Sequence, residues 1–234
     1  MKASWIVTGV AVAALGLLVN QANAAPFRVG VELASGQTGL VTTAGDTVTM
    51  HVYAYMSGTD PNPANDGVQG LYGGILVGNT LAGSLAFTMD NAFTAGVHSN
   101  GTPQSDGGIY GTDPSVATGW IALNSGASSA QVVYTNTDPN KVFLGTLVFT
   151  TGPTPVIGET ASIQWEFRNK TGVTGASIYQ YTLDGTYLSK SLSGAGLPIG
   201  LSGNAVTIST PEPATMAILA VGGLGVLLRR RRTA

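Results

Sequence analysis

Two histidines, His51 and His98, are the natural first candidates for metal or acid–base chemistry, but their surroundings supply no partners. Neither sits in an H-x-x-x-H or H-x-H pair or beside a carboxylate pair, the patterns that bring nitrogen and oxygen ligands together for zinc or copper. Each is expected to be an ordinary sheet or surface histidine. No G-x-S-x-G elbow presents a serine nucleophile. With no cysteine in the chain, thiolate nucleophiles and thiolate metal sites are excluded. The glycines of SGAGLPIG (Gly194, Gly196 and Gly200) have neither the spacing of a dinucleotide loop nor a following helix and are read as loop. No catalytic residue, metal ligand or cofactor is assigned.

Carboxylates remain, because a glycoside hydrolase needs only two of them. Asp60, Asp66, Asp90, Asp106, Asp113 and Asp138 nearly all fall in stretches rich in Gly, Pro or Asn, where a short carboxylate caps backbone amides. Glu159 and Glu166 flank or occupy a strand. The stretch Asp60-Pro-Asn62-Pro-Ala-Asn65-Asp66-Gly67 spaces oxygen donors as calcium requires. It lacks a closing glutamate and is broken by prolines, so an Asx-rich turn is the expectation. Tyr53, Tyr55, Tyr72, Trp120 and Trp165 could form a platform for sugar rings, or could serve as core and cross-strand packing.

The elements that must position these residues read as strands. Phe27, Val29, Val31 and Leu33 alternate with Arg28, Gly30 and Glu32. From Thr47 to Tyr55, Val48, Met50, Val52 and Ala54 share one face, leaving Thr49, His51, Tyr53 and Tyr55 on the other. Further strands are expected over 71–77, 84–89, 120–123, 131–134, 142–150, 161–167, 178–183 and 205–208, with turn residues between them and no helical periodicity. About ten such strands suit an all-β fold, an antiparallel β-sandwich or jelly roll, with an up-and-down barrel as the alternative.

The two ends differ from this domain. Met1 to Ala24 has Lys2, an apolar stretch from Trp5 to Val19, and the small-residue site Ala22-Asn23-Ala24, the form of a secretory signal peptide cut between Ala24 and Ala25. An uncleaved N-terminal anchor is the rival reading. At the other end, Pro211-Glu212-Pro213 is followed by an uncharged apolar run from Ala214 to Leu228 and by Arg229, Arg230, Arg231 and Arg232. As a helix, the run would span about 22 Å, shorter than a bilayer core of about 30 Å, but insertable if the bilayer thins and the arginines snorkel. Four arginines resist translocation and stay cytoplasmic.

Between the ends lies one domain, residues 25–209. Lys2 and Arg229 to Arg232 hold five of the ten basic residues and Glu212 one of the twelve acidic ones, so the domain carries five against eleven, a net −6. With no basic stripe to neutralise phosphates, nucleic acid is not an expected partner. Without disulfides, the fold must rest on packing and sheet hydrogen bonds.

The tail from Thr210 to Ala234 resembles the PEP-CTERM sorting signal of Gram-negative bacterial surface proteins. That resemblance implies recognition of Pro211, Glu212 and Pro213 by the membrane protease-transpeptidase exosortase, with the arginines retaining the precursor in the membrane. A plain C-terminal anchor is the alternative. Within the domain, Val142 to Phe167 looks like the late hairpin of cohesin-like β-sandwiches, with Leu144, Gly145, Thr146, Leu147 and Phe149 followed by Gly158, Thr160 and Ile163.

The expectation is an exported, non-enzymatic surface or extracellular-matrix protein, held at the inner membrane, processed, and displayed at the cell surface or outside. The resemblance implies an association with exopolysaccharide. A carbohydrate-binding or adhesive module is the second reading and a glycoside hydrolase the third. An aromatic row on one exposed sheet face would favour binding, and two carboxylates about 5–10 Å apart would favour hydrolysis.

Overall fold

Alternation of apolar and polar residues puts every second side chain of a strand on one face, and the structure buries that face. The computed structural model describes residues 27–56, 65–78, 80–96, 98–111, 120–125, 141–167, 179–190 and 204–211. Its strands are β1 (Phe27–Leu33), β2 (Thr47–Met56), β3 (Gly67–Gly78), β4 (Gly83–Met89), β5 (Ser99–Asn100), β6 (Ile121–Asn124), β7 (Lys141–Thr151), β8 (Thr160–Glu166), β9 (Tyr179–Leu183), β10 (Thr186–Lys190) and β11 (Val206–Ser209). In β2, Val48, Met50, Val52, Ala54 and Met56 are buried, whereas Thr49, His51, Tyr53 and Tyr55 are only partly so.

The described residues form two packed antiparallel sheets. One is four-stranded in the order β1-β2-β7-β4. The other runs β10-β9-β3-β6-β5, with β8 bridging β3 to β11. Between them lies one apolar cluster that includes Phe27, Val31, Met50, Phe93, Leu144, Phe149, Ile163 and Trp165. A side chain of this size contributes about 1.5–3 kcal/mol when fully buried, so packing can carry the fold without disulfides.

Two local findings differ from the pattern of the sequence. The expected hairpin over 142–167 is a crossing between sheets: β7 pairs with β2 and β4, while β8 pairs with β3 and β11. Both strands bury alternate side chains in the same core, Leu147 and Phe149 from the four-stranded sheet and Ile163 and Trp165 from the sheet facing it. A genuine hairpin appears instead at β9–β10. There Asp184 (φ 50°) and Gly185 (φ 72°) both take the left-handed conformation that a two-residue type I′ turn needs.

At two adjacent glycines of the central strand β3, indoles press on the backbone from two directions. A Cβ on Gly73 would lie 2.4 Å from Cζ2 of Trp165. One on Gly74 would lie 2.9 Å from Cβ of Tyr110 and 3.3 Å from Cζ3 of Trp120. Consecutive residues point to opposite faces, so Trp165 fills the core side while Trp120 and Tyr110 cover the other.

Candidate functional site

The outer face of the four-stranded sheet gathers a cluster that the register of three strands assembles. Tyr55 lies opposite Arg28 on β1 and Lys141 on β7; Tyr53 lies opposite Gly30 and Phe143; His51 lies opposite Glu32. A bulge beside Val52 and Tyr53 shifts β7 so that Phe143 rather than Leu144 comes level with Tyr53. The ring centroids of Tyr53 and Phe143 are 5.7 Å apart, those of His51 and Phe143 5.2 Å, and those of Tyr53 and Tyr55 6.4 Å. His51 Nδ1 stands 3.2 Å from the Tyr53 hydroxyl oxygen.

Charges brace the row. The Arg28 guanidinium lies 4.8 Å from the centre of the Tyr55 ring, and Lys141 Nζ lies 4.3 Å from that of Tyr53. Such cation–π contacts contribute about 0.5–1 kcal/mol each at exposed sites. Lys141 Nζ also donates to Glu32 Oε2 at 2.9 Å, while the Tyr55 hydroxyl donates to Glu32 Oε1 at 2.5 Å. Burial pushes the Glu32 carboxyl up, but the hydrogen bonds from Tyr55 and Lys141 and the charges of Lys141 and His51 outweigh it and hold it below its ordinary value. The Tyr55 hydroxyl is raised, first by burial and then by its bond to Glu32. The result is a rigid face of rings, hydroxyls and cations with one ionised carboxylate. It can stack against the C–H face of a sugar and donate hydrogen bonds, but Glu32 cannot donate a proton near neutral pH.

The other candidates resolve elsewhere. Trp165 and Trp120 are buried, the first in the core, so they leave the platform proposed for them and serve as packing. Tyr72 lies on β3, outside the row. Asp90 Oδ1 accepts from the amide of Ala92 at the start of a 3-10 turn, Asp106 accepts from Gly108 N–H and the Tyr110 hydroxyl, and Asp66 Oδ1 accepts from Asp184 N–H. Glu159 and Glu166 bracket β8, which separates them by about 23 Å along an extended strand, too far for a hydrolytic pair. His98 is exposed, with Nδ1 2.7 Å from the Gly96 carbonyl oxygen. Among the described residues no group of three or more His, Asp or Glu is placed to hold a metal. Asp60, Asn62, Asp113, Asp138, Gly194, Gly196, Gly200 and the 131–134 strand lie outside the described residues.

At the far end of β11 the chain leaves the domain through a clamp. Ser209 N–H donates to Gly39 O, Val41 N–H to Ser209 O, and Thr210 N–H to Glu159 O at 3.0 Å. The Thr210 hydroxyl donates to Val156 O at 2.7 Å. Pro211 follows immediately, and residues 209–232 match the family model for the PEP-CTERM protein-sorting motif. The chain carries a PEP-CTERM sorting signal. That signal implies an exported protein, processed by an exosortase and sorted to the cell surface. No curated protein matches the chain. Of the PEP-CTERM tail, Glu212, Pro213, the 214–228 run and Arg229 to Arg232 lie outside the described residues, as do Ala22, Ala24 and Ala25 of the signal peptide. Among the described residues no helix is long and apolar enough to cross a membrane.

Sequence pattern alone placed His51, Tyr53 and Tyr55 on one face. It missed Arg28, Glu32, Lys141 and Phe143 as their companions. The available signal was the alternation of Lys141 and Phe143 with Val142 and Leu144, which marks them as outward-facing; their neighbours follow only from the register.

Proposed function

We propose that this is a non-enzymatic surface or extracellular-matrix protein whose β-sandwich holds exopolysaccharide on the outer face of β1, β2 and β7. The observation that carries the reading is the braced row of His51, Tyr53, Tyr55 and Phe143 flanked by Arg28 and Lys141. Rings standing on a sheet face offer sugar C–H groups an apolar partner, and cations beside them add charge-assisted hydrogen bonds to hydroxyls and carboxylates. In the precursor, the run from Ala214 to Leu228 anchors the chain in the inner membrane with Arg229 to Arg232 inside, until cleavage at Pro211 to Pro213 releases the domain beginning at Ala25.

The finer fold belongs to the same proposal: a cohesin-like or jelly-roll sandwich. Supporting the jelly-roll form is the placement of the successive strands β7 and β8 in opposite sheets; the L-G-T-L-x-F and G-x-T-x-x-I stretches carry the cohesin-like resemblance in sequence, without the hairpin that it implies.

Affinity gel electrophoresis in polygalacturonate and in dextran tests the binding face. Replacing Tyr53 or Phe143 by Ala should weaken retention by about 3- to 10-fold, the equivalent of one aromatic contact. Lys141→Ala should weaken binding to polygalacturonate more than to dextran. Folded variants that bind both polymers as the parent does would remove this face from the account.

A further inference from the structure

Four large apolar side chains stand exposed among the described residues, and three gather where the chain departs. Leu40 is 52% exposed, Val156 56% and Ile157 62%. Leu40 forms a bridge with Ser209, and Val156 O receives the Thr210 hydroxyl, so the two loops flank the exit from either side. Neither loop holds a Lys or Arg, and the one carboxylate of each is turned to its own loop: Asp46 accepts from Thr42 and Thr43, and Glu159 Oε2 accepts from Val156 N–H. Loop tips in water favour polar residues, so apolar ones collected at a single point suggest a partner.

The length of chain beyond the clamp says which partner. From Thr210 to Ala214, the first residue of the apolar run, are four Cα steps, at most about 14 Å when fully extended. The headgroup region on each side of a bilayer takes up roughly 5–8 Å of that distance. Once the run is in the membrane, the end of the domain at Thr210 has almost no room to stand off. We propose that Leu40, Val156 and Ile157 form an apolar rim that rests on the lipid surface in the tail-anchored precursor. This rests on the anchoring of the PEP-CTERM tail. The rim keeps Pro211, the residue at which the sorting motif begins its Pro-Glu-Pro stretch, close to the lipid surface. It carries no basic residue to hold anionic headgroups, so three side chains release the domain once the tail is cut.

The absence of cysteine makes a single-label experiment possible. Full-length chain bearing Ile157→Cys, labelled with an environment-sensitive NBD dye, is reconstituted into vesicles of phosphatidylethanolamine and phosphatidylglycerol, with and without doxyl-labelled lipid. Tyr187→Cys is the control: this fourth exposed position lies on β10, at the Gly67 end of β3, about 35 Å along that strand from the Gly78 end near the exit. At position 157 the dye should shift to the blue and lose about half its emission to doxyl lipid, as expected for a group about 5–10 Å into the headgroup boundary; at 187 it should do neither. Flotation separates the two layers of the argument. If the chain floats with the vesicles but the label at 157 stays in water, the rim proposal fails and the anchor stands. A label shielded from water but untouched by doxyl lipid means that protein covers the rim, and overturns the proposal too. Failure to float overturns the anchor and, with it, the rim.

Discussion

Gly73→Ala probes the packing of Trp165 against the backbone of the central strand. The new methyl carbon would lie 2.4 and 2.6 Å from Cζ2 and Cε2 of Trp165 and 2.8 Å from the carbonyl oxygen of Glu166. Comfortable carbon contacts begin near 3.5 Å, so the indole must retreat by about 1 Å. It is 1% exposed and walled by the core, so the retreat displaces other side chains. Overpacking of this kind costs about 1–3 kcal/mol, and the clash with a main-chain oxygen places this case at about 3. Lower entropy of the unfolded Ala chain returns about 0.5 kcal/mol. The net loss of about 2.5 kcal/mol should lower Tm by about 5–10 °C in a domain of this size. Thermal and urea unfolding of the parent, Gly73→Ala, Trp165→Phe and the double variant measure it. In the Trp165→Phe background the penalty should fall by about half, because the ring clash eases while the contact with Glu166 O remains. Gly78→Ala, whose Cβ would meet nothing nearer than 3.9 Å, is the control and should be close to neutral. The reasoning is refuted if Gly73→Ala behaves like Gly78→Ala, or if its cost is the same with either side chain at position 165.

Asp46 accepts hydrogen bonds from the amides and hydroxyls of Thr42 and Thr43, and these bonds, that from the Thr42 amide first, lower its pKa to about 2. Since the folded value lies below the unfolded one, its stabilisation is full above about pH 4 and is lost as the pH falls through 2; the gap in Tm between parent and Asp46→Ala should therefore close on acidification. Asp184→Val forces a β-branched residue into the left-handed conformation and should cost about 1–2 kcal/mol in urea unfolding, whereas Asp184→Gly should be tolerated. Chelation by EDTA should leave Tm unchanged, because the Asp66 carboxylate is already engaged by the Asp184 amide; a fall in Tm reversed by calcium would restore the metal reading. Changing Pro211, Glu212 and Pro213 together to Ala should leave a chain in the inner membrane whose intact mass still includes Arg229 to Arg232, and a surface species of normal size would contradict the sorting role.

Strands with clean alternation were legible in the sequence, and those that depart from it were not. In β1, β2 and β4 one face meets the core and the other meets water, so period-two patterning is visible. Strand β3 is covered on both faces where Trp165 and Trp120 press on Gly73 and Gly74, which replaces alternation with glycine and hid its start at Gly67. The hairpin partner β10 was missed although Asp184-Gly185 between two short strand-like runs is a strong turn signal. The crossing from β7 to β8 could not be told from a hairpin, because both connections join amphipathic strands through Gly and Pro. At the candidate site, alternation put His51, Tyr53 and Tyr55 together. The pairing of Glu32 with Lys141, 109 residues later, depends on a three-strand register and a bulge that no local pattern encodes.

The clamp around Ser209 and Thr210 also sets how the domain would bear a load. Were the cut chain joined to a surface through its new C-terminus, a pull at Thr210 would meet β11 along its length, where antiparallel pairing with β8 and the bonds to Gly39, Val41, Val156 and Glu159 are strained together rather than one at a time. The aromatic row climbs β2 from His51 toward Tyr55 and Arg28, away from that end. A polymer held there would draw force through the whole sandwich to the tether. On the proposed reading of that face, the sandwich would serve as a mechanical link between the row and the shear-loaded fastening of β11.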